Sequence, residues 1–142
     1  MSDEELKARL AIADRLAAAT QAGDARKAEA YAACFTEDGV LALEREIAGR
    51  AELRAFMTAP SPMGAPSERP MGHVSHHLTT CKIDLTGPDT AKARTYWLVT
   101  SPAGIDHNGY YDDVLHKVGG EWLIALRRPR TLWFSPDSMV RR

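Results

Sequence analysis

Little in this sequence points to a cofactor or to a charged partner. Two cysteines, Cys34 and Cys81, stand far apart with no Cys-x-x-Cys spacing. They read as small buried thiols, not as a disulfide or a metal pair. An excess of one charge is also missing: 18 Lys and Arg against 19 Asp and Glu leave a formal net charge of -1. That gives no electrostatic ground for nucleic acid or an anionic membrane as partner. No apolar run approaches the roughly 20 residues that span a bilayer, and the opening Met-Ser-Asp-Glu-Glu-Leu-Lys lacks the basic start and apolar stretch of a secretory signal. A cytoplasmic protein is the expectation. Gly-x-Gly-x-x-Gly, P-loop, Gly-x-Ser-x-Gly and His-Glu-x-x-His patterns are absent, which disfavours nucleotide binding and a serine nucleophile.

What is present suits one ordinary globular domain, residues 1–142, with 44% hydrophobic and 26% charged residues. Ser2 followed by three acids opens a first helix, in which Leu6, Leu10, Ala13, Leu16 and Ala17 recur at helical spacing. Gly23 ends it, and Asp24 is placed to cap a second helix over residues 25–35. A short strand is expected over 40–43 and a third helix over 51–58, which presents Leu53, Phe56 and Met57 to the core. Residues 59–72 hold four prolines with no periodicity and read as a loop. Longer strands follow: one through the histidines, then 90–102, 109–118 and 122–134, joined by Gly87-Pro88-Asp89 and Gly119-Gly120-Glu121. Turns that short require antiparallel neighbours. Along 90–102, Ala91, Ala93, Thr95, Trp97 and Val99 form one apolar face.

The stretch Gly72 to Asp84 carries the chemistry. Alternation puts His76, Leu78, Thr80, Lys82 and Asp84 on one face and His77, Thr79, Cys81 and Ile83 on the other. Because Lys82 and Asp84 want water, His77 and Thr79 are expected to point inward. A histidine held there can exchange protons near neutral pH, although a hydrogen-bonded core histidine is the plain alternative. His73, His76 and His77 share no face with a further ligand, so no metal is expected. The tail, with Leu132, Trp133 and Phe134 beyond Pro129, is expected to close a pocket mouth or to pack on a neighbour.

This order of elements describes an α+β layer fold. Together with Gly-Asp-Ala-Arg at 23–26, Phe-Thr-Glu-Asp-Gly at 35–39, Ile-Ala-Gly-Arg-Ala-Glu-Leu at 47–53, Ser-His-His-Leu-Thr-Thr at 75–80, Gly-Tyr-Tyr-Asp-Asp at 109–113 and Gly-Gly-Glu-Trp-Leu-Ile at 119–124, it resembles the SnoaL-like branch of the nuclear transport factor 2-like superfamily. The resemblance implies a curved antiparallel sheet wrapped around N-terminal helices, a cone-shaped α+β barrel with an interior pocket. The eliminating enzymes of that branch place an aspartate after the first helix and a histidine on the strand after the proline-rich loop, and Asp24 and His77 match those positions. The second histidine of scytalone dehydratase falls near Thr100 or Ser101, the basic aspartate of the isomerases near Leu43, and a first-helix tyrosine at Ala19. Tyr111 falls where a polar side chain meets substrate.

The resemblance thus implies a cofactor-independent lyase of dehydratase type, with Asp24 and His77 catalytic and a hydrophobic ring-containing small molecule as substrate. Tyr111, Trp97, Thr79, Phe56 and Trp133 are the expected substrate contacts. Asp24 can serve as cap and as partner to the imidazole at once. The alternatives are a non-catalytic binding or assembly subunit of the same fold, or an isomerase or cyclase acting on a polyketide- or steroid-like molecule. A homo-oligomer, dimer or trimer, is expected through the outer sheet face carrying Tyr96 and Leu98.

Overall fold

The computed structural model describes residues 1–60 and 74–140, so most of the expected 59–72 loop lies outside the described residues. The elements are α1 (Asp3–Asp24), α2 (Ala28–Ala33), β1 (Phe35–Ala42), β2 (Glu46–Ala48), α3 (Arg50–Thr58), β3 (Ser75–Leu85), β4 (Thr90–Ser101), β5 (Gly104–Val118) and β6 (Glu121–Phe134). One sheet runs in the order β2-β1-β6-β5-β4-β3. All neighbours are antiparallel except β1 and β6, which pair in parallel. Chain order explains the exception. The β3-to-β6 meander is built from short turns, whereas β1 returns to β6 across the whole chain and is free to take the other direction. At the β5–β6 turn, Gly119 and Gly120 take φ of 57° and 83°, as a two-residue hairpin with two left-handed positions requires.

Helix α1 begins with a full capping box: Ser2 Oγ accepts from the Glu5 amide and Glu5 Oε2 accepts from the Ser2 amide. Its buried face is Ile12, Leu16, Ala19, Thr20 and Ala22, while Leu6 and Leu10 remain exposed. Two helical stripes overlap in this segment. The sheet takes the one ending in small residues, which let the helix axis come close. The helix does not stop at Gly23 but runs on through Asp24, and α2 starts behind Lys27 with no side-chain cap. Asp24 is therefore not the N-cap of α2 but the last residue of α1, at a helix C-terminus, where the macrodipole disfavours a carboxylate. Arg26 turns the corner at φ 55° and ties it to the end of α3 by donating from Nη2 to Ala59 O at 2.9 Å.

The inner face of the sheet holds a large cluster built around Ile12, Leu16, Phe35, Leu53, Leu115 and Ile124. A smaller one consists of Val74, Trp97 and Val99, backed by Leu78 and Tyr111. Cys34 is buried and Cys81 exposed, so only the first behaves as the expected core thiol. Among the described residues, no helix is long and apolar enough to cross a membrane.

The sheet is interrupted by one-residue register shifts, and these position the site. On β3, Leu78 pairs with Trp97 but Cys81 with Thr95. Three residues there answer two on β4, so the extra residue is a bulge at Thr79–Thr80. On β5, Val99 pairs with His107 and Thr100 with Ile105, which leaves Asp106 as the extra residue. On β6, extra residues fall at Ala125 and Leu132.

Candidate active site

A cavity of about 350 Å³ opens between the two clusters, within the size range of small-molecule sites. Its wall includes Ala19, Asp24 and Tyr31 from the first helices, Phe56 and Met57 from α3, His76 from β3, Trp97 from β4, His107 and Tyr111 from β5, and Arg127, Pro129 and Thr131 from β6. Asp24 and His76 form its polar centre. Asp24 Oδ1 lies 2.6 Å from His76 Nδ1, and Asp24 Oδ2 accepts the His76 amide at 2.8 Å. With the carboxylate on Nδ1, the tautomer carries its proton there and Nε2 has its lone pair available.

The histidine is not the one that alternation indicates. His77 is exposed, and its Nε2 lies 3.0 Å from Thr100 Oγ1 on the outer face of the sheet. Counted back from Ile83, which does point inward, strict alternation makes His77 the inner residue. The bulge at Thr79–Thr80 shifts that count by one and turns His76 inward instead. Thr79 is corrected for the same reason: it is exposed and donates to Tyr96 O at 3.2 Å. Trp133 is also outside the cavity, 49% exposed. The bulge at Leu132 turns Phe134 inward in its place, where it stacks on His107 with centroids 5.2 Å apart. Tyr111, Trp97 and Phe56 do line the cavity.

Several residues had no part in the sequence expectation. His107 shares the inward face of β5 with Gly109, Tyr111, Asp113 and Leu115, and the Asp106 bulge beside it lets Asp106 turn inward as well. The His107 Nδ1 lies 2.7 Å from Asp106 Oδ1, and His107 is the second cavity histidine, whereas Thr100 faces outward. Arg127, turned inward by the bulge at Ala125, forms a buried bidentate pair with Asp113 at 2.8 and 3.0 Å and places its guanidinium 4.0 Å from the Tyr111 ring centroid. Ala19 contributes no hydroxyl, but Tyr31 and Tyr111 do. The available signal for His107 was its shared parity with Tyr111, Asp113 and Leu115 along one strand, and its place in an Asp-His dipeptide. The two side chains of that dipeptide could share a site only across a bulge.

Electrostatics follow from burial. Burial pushes the Tyr111 hydroxyl up to about 12, so it is a neutral donor at physiological pH. Burial weighs against the charge of Arg127, but its contact with Asp113 outweighs this and drives the group's pKa up. Burial likewise opposes ionisation of Asp106, yet hydrogen bonds from Ser138 Oγ, the Met139 amide and His107 prevail and hold its carboxyl at about 2. Trp97 rings lie edge-on to both histidines, at 5.8 Å from His76 and 5.5 Å from His107. A Cβ on Gly109 would stand 2.6 Å from Trp97 Cζ2 and collide with Arg130 O, so the indole keeps its place because residue 109 has no side chain. Among the described residues, no three His, Cys, Asp or Glu side chains converge as a metal site would need.

An α+β cone whose open sheet encloses an apolar cavity with an Asp-His pair is thereby defined. The chain belongs to the SnoaL-like domain family, whose model matches residues 4–128, within the nuclear transport factor 2-like fold. It is similar to Rv3472, a Mycobacterium tuberculosis protein of unknown function, at 29% identity and a TM-score of 0.74, over 97% of this chain and 79% of that one. LinA shares the fold at 19% identity and a TM-score of 0.77, over 96% and 94% of the two chains. A candidate scytalone dehydratase from Novosphingobium aromaticivorans shares it at 24% and 0.75, over 95% and 91%. No curated protein matches the chain.

Proposed function

We propose that this chain is a cofactor-independent lyase of dehydratase type, acting on a hydrophobic ring-containing small molecule. The observation that carries the reading is the Asp24–His76 pair, its free Nε2 in an apolar cavity of about 350 Å³. The fold's likeness to LinA and to a candidate scytalone dehydratase supports the same class by analogy. His76 Nε2 removes a proton from carbon beside a carbonyl or a phenol. Asp24 holds the ring in orientation, and the neutral Tyr111 hydroxyl donates to the oxyanion as charge develops. The Arg127 guanidinium against the Tyr111 ring adds fixed positive charge beneath that donor. Trp97 and Phe56 supply flat apolar walls for a ring. No step calls for a cofactor.

Turnover of ring-containing β-hydroxy ketones, followed by the absorbance of the conjugated product, tests this. His76→Ala should lose about 10² to 10⁴ in rate, the usual worth of a positioned acid-base group, and His77→Ala less than about threefold. Unchanged turnover in His76→Ala removes the lyase reading and leaves a binding module of the same fold.

A further inference from the structure

The cavity holds a second Asp-His pair that an elimination by His76 alone does not use. His107 reaches the cavity from β5, across β4 from His76, and the two rings stand at 88° with centroids 6.4 Å apart. Asp106 is completely buried, and its carboxylate is engaged by Ser138 Oγ at 2.6 Å, the Met139 amide at 2.7 Å and His107 Nδ1 at 2.7 Å. Among the described residues, His107 is the only basic side chain hydrogen-bonded to that carboxylate. A buried anion calls for a cation at contact distance, and an imidazole is the group here that can become one. In the imidazolium form both ring nitrogens are donors. Nδ1–H is committed to Asp106, and no described residue is hydrogen-bonded to Nε2. Phe134 stacks flat on the ring and fixes its plane.

We propose that His107 is a second catalytic residue, the general acid that protonates the departing group while His76 acts as the base. This rests on the lyase reading above and divides its proton transfers between two imidazoles. In the step, His76 Nε2 takes the proton as the C–H bond breaks, and that electron pair becomes the new C=C bond. The C–O bond breaks with its electrons on oxygen, which receives the proton of His107 Nε2 and leaves as water. One proton is taken up and one is given, so the net charge of the site is unchanged. The resting state returns when His76 gives up its proton and His107 regains one through water in the emptied cavity. The titratable and charged groups that line the cavity with His107 are Asp24, Arg26, Tyr31, His76, Tyr111 and Arg127. Of these, His76 is the second imidazole, with its ring centroid 6.4 Å from that of His107.

Leaving-group chemistry separates this acid from a structural histidine. A ring-containing β-hydroxy ketone needs a proton on its leaving oxygen, and the matching β-chloro ketone does not. His107→Gln should lower kcat on the β-hydroxy probe by on the order of 10² or more and on the β-chloro probe by less than about threefold. Retained β-chloro turnover also shows that the variant is folded. Asp106→Asn should move the two probes apart in the same sense by a smaller factor. Equal loss on both probes, or no loss on the β-hydroxy probe, overturns the assignment of His107 while leaving His76 untouched. Loss of neither probe in His76→Ala, or a wild-type protein inert to both, overturns the lyase reading and this inference with it.

Discussion

Asp24 binds His76 twice, at the ring nitrogen and at the backbone amide, with 2.6 and 2.8 Å contacts to its two carboxylate oxygens. The double attachment joins the end of α1 to the start of β3, so the orientation of the imidazole and the docking of the helix depend on the same side chain. Asp24→Asn retains size and one acceptor but places an amide where an oxygen now stands. Activity on the β-hydroxy probe should fall by about 10-fold to 10³-fold with little change in Tm, and in the double variant with His76→Ala the losses should be far from multiplicative. A purely structural aspartate would show the reverse pattern: lower Tm with kcat preserved. Steady-state kinetics beside thermal melts decide between them.

The tail is fastened through Asp106, and that attachment depends on pH. Its carboxyl sits at about 2 in the folded chain, below the unfolded value of about 3.9, so its contribution, on the order of 2 kcal/mol, is fully present above about pH 5 and disappears as pH falls toward 2. Asp106→Asn should therefore destabilise at pH 7 and progressively less toward pH 3. Urea unfolding at the two pH values provides the measurement, and a cost independent of pH contradicts it.

Arg127 and Asp113 form a buried ion pair. Removing one member alone, as in Arg127→Met, leaves a buried uncompensated charge and should cost about 3 to 5 kcal/mol, whereas Arg127→Met with Asp113→Val should recover much of that loss. Chemical denaturation of the three variants tests the asymmetry. The double variant should still lose ligand affinity, because the cation under Tyr111 is gone.

Gly109→Ala should displace the Trp97 indole from its seat between the two histidines. We expect altered tryptophan fluorescence, a stability loss of about 1 to 3 kcal/mol from overpacking, and weaker binding of a ring-containing probe. Unchanged fluorescence and affinity would show that Trp97 is held by other contacts.

On the outer face, Tyr96 is 42% exposed and packs against Tyr110, while Arg94 pairs with Asp112 and covers the Tyr110 ring. We expect this face to pair copies of the chain. Light scattering at micromolar concentration should give a dimer or trimer, and Tyr96→Lys should shift it toward monomer. A monomeric wild type removes the idea.

Much of the architecture was legible because periodicity is a local property. The capping box at Ser2, the alternating Ala91-to-Val99 face of β4 and the Gly119-Gly120 hairpin each follow from short-range rules and are found where those rules place them. β2 was not anticipated: three residues are too few for alternation to register. The site was less legible because His76 and Arg127 are turned inward where alternation fails, while His107 lies just before the strand expected from Gly109, outside its bounds. A bulge has no strong residue signature in Thr79-Thr80, Asp106 or Ala125, and each one reverses every facing that follows. Trp97, Tyr111 and Phe56 line the cavity, and each lies on an uninterrupted stretch of its own element. Asp24 lines the cavity, as the resemblance implies, but from the end of α1 and not from the cap of a second helix.

The Thr79–Thr80 bulge also bears on comparison with relatives. Two chains can carry the same cavity histidine in different alignment columns if one has the additional residue and the other does not. A match made by letters across Ser75-His76-His77 selects either histidine with equal ease, and only a gap opened at Thr79 or Thr80 brings the cavity-facing column into line. Removing one of those threonines should reset the frame of the strand upstream, carrying His77 in and His76 out with no histidine mutated.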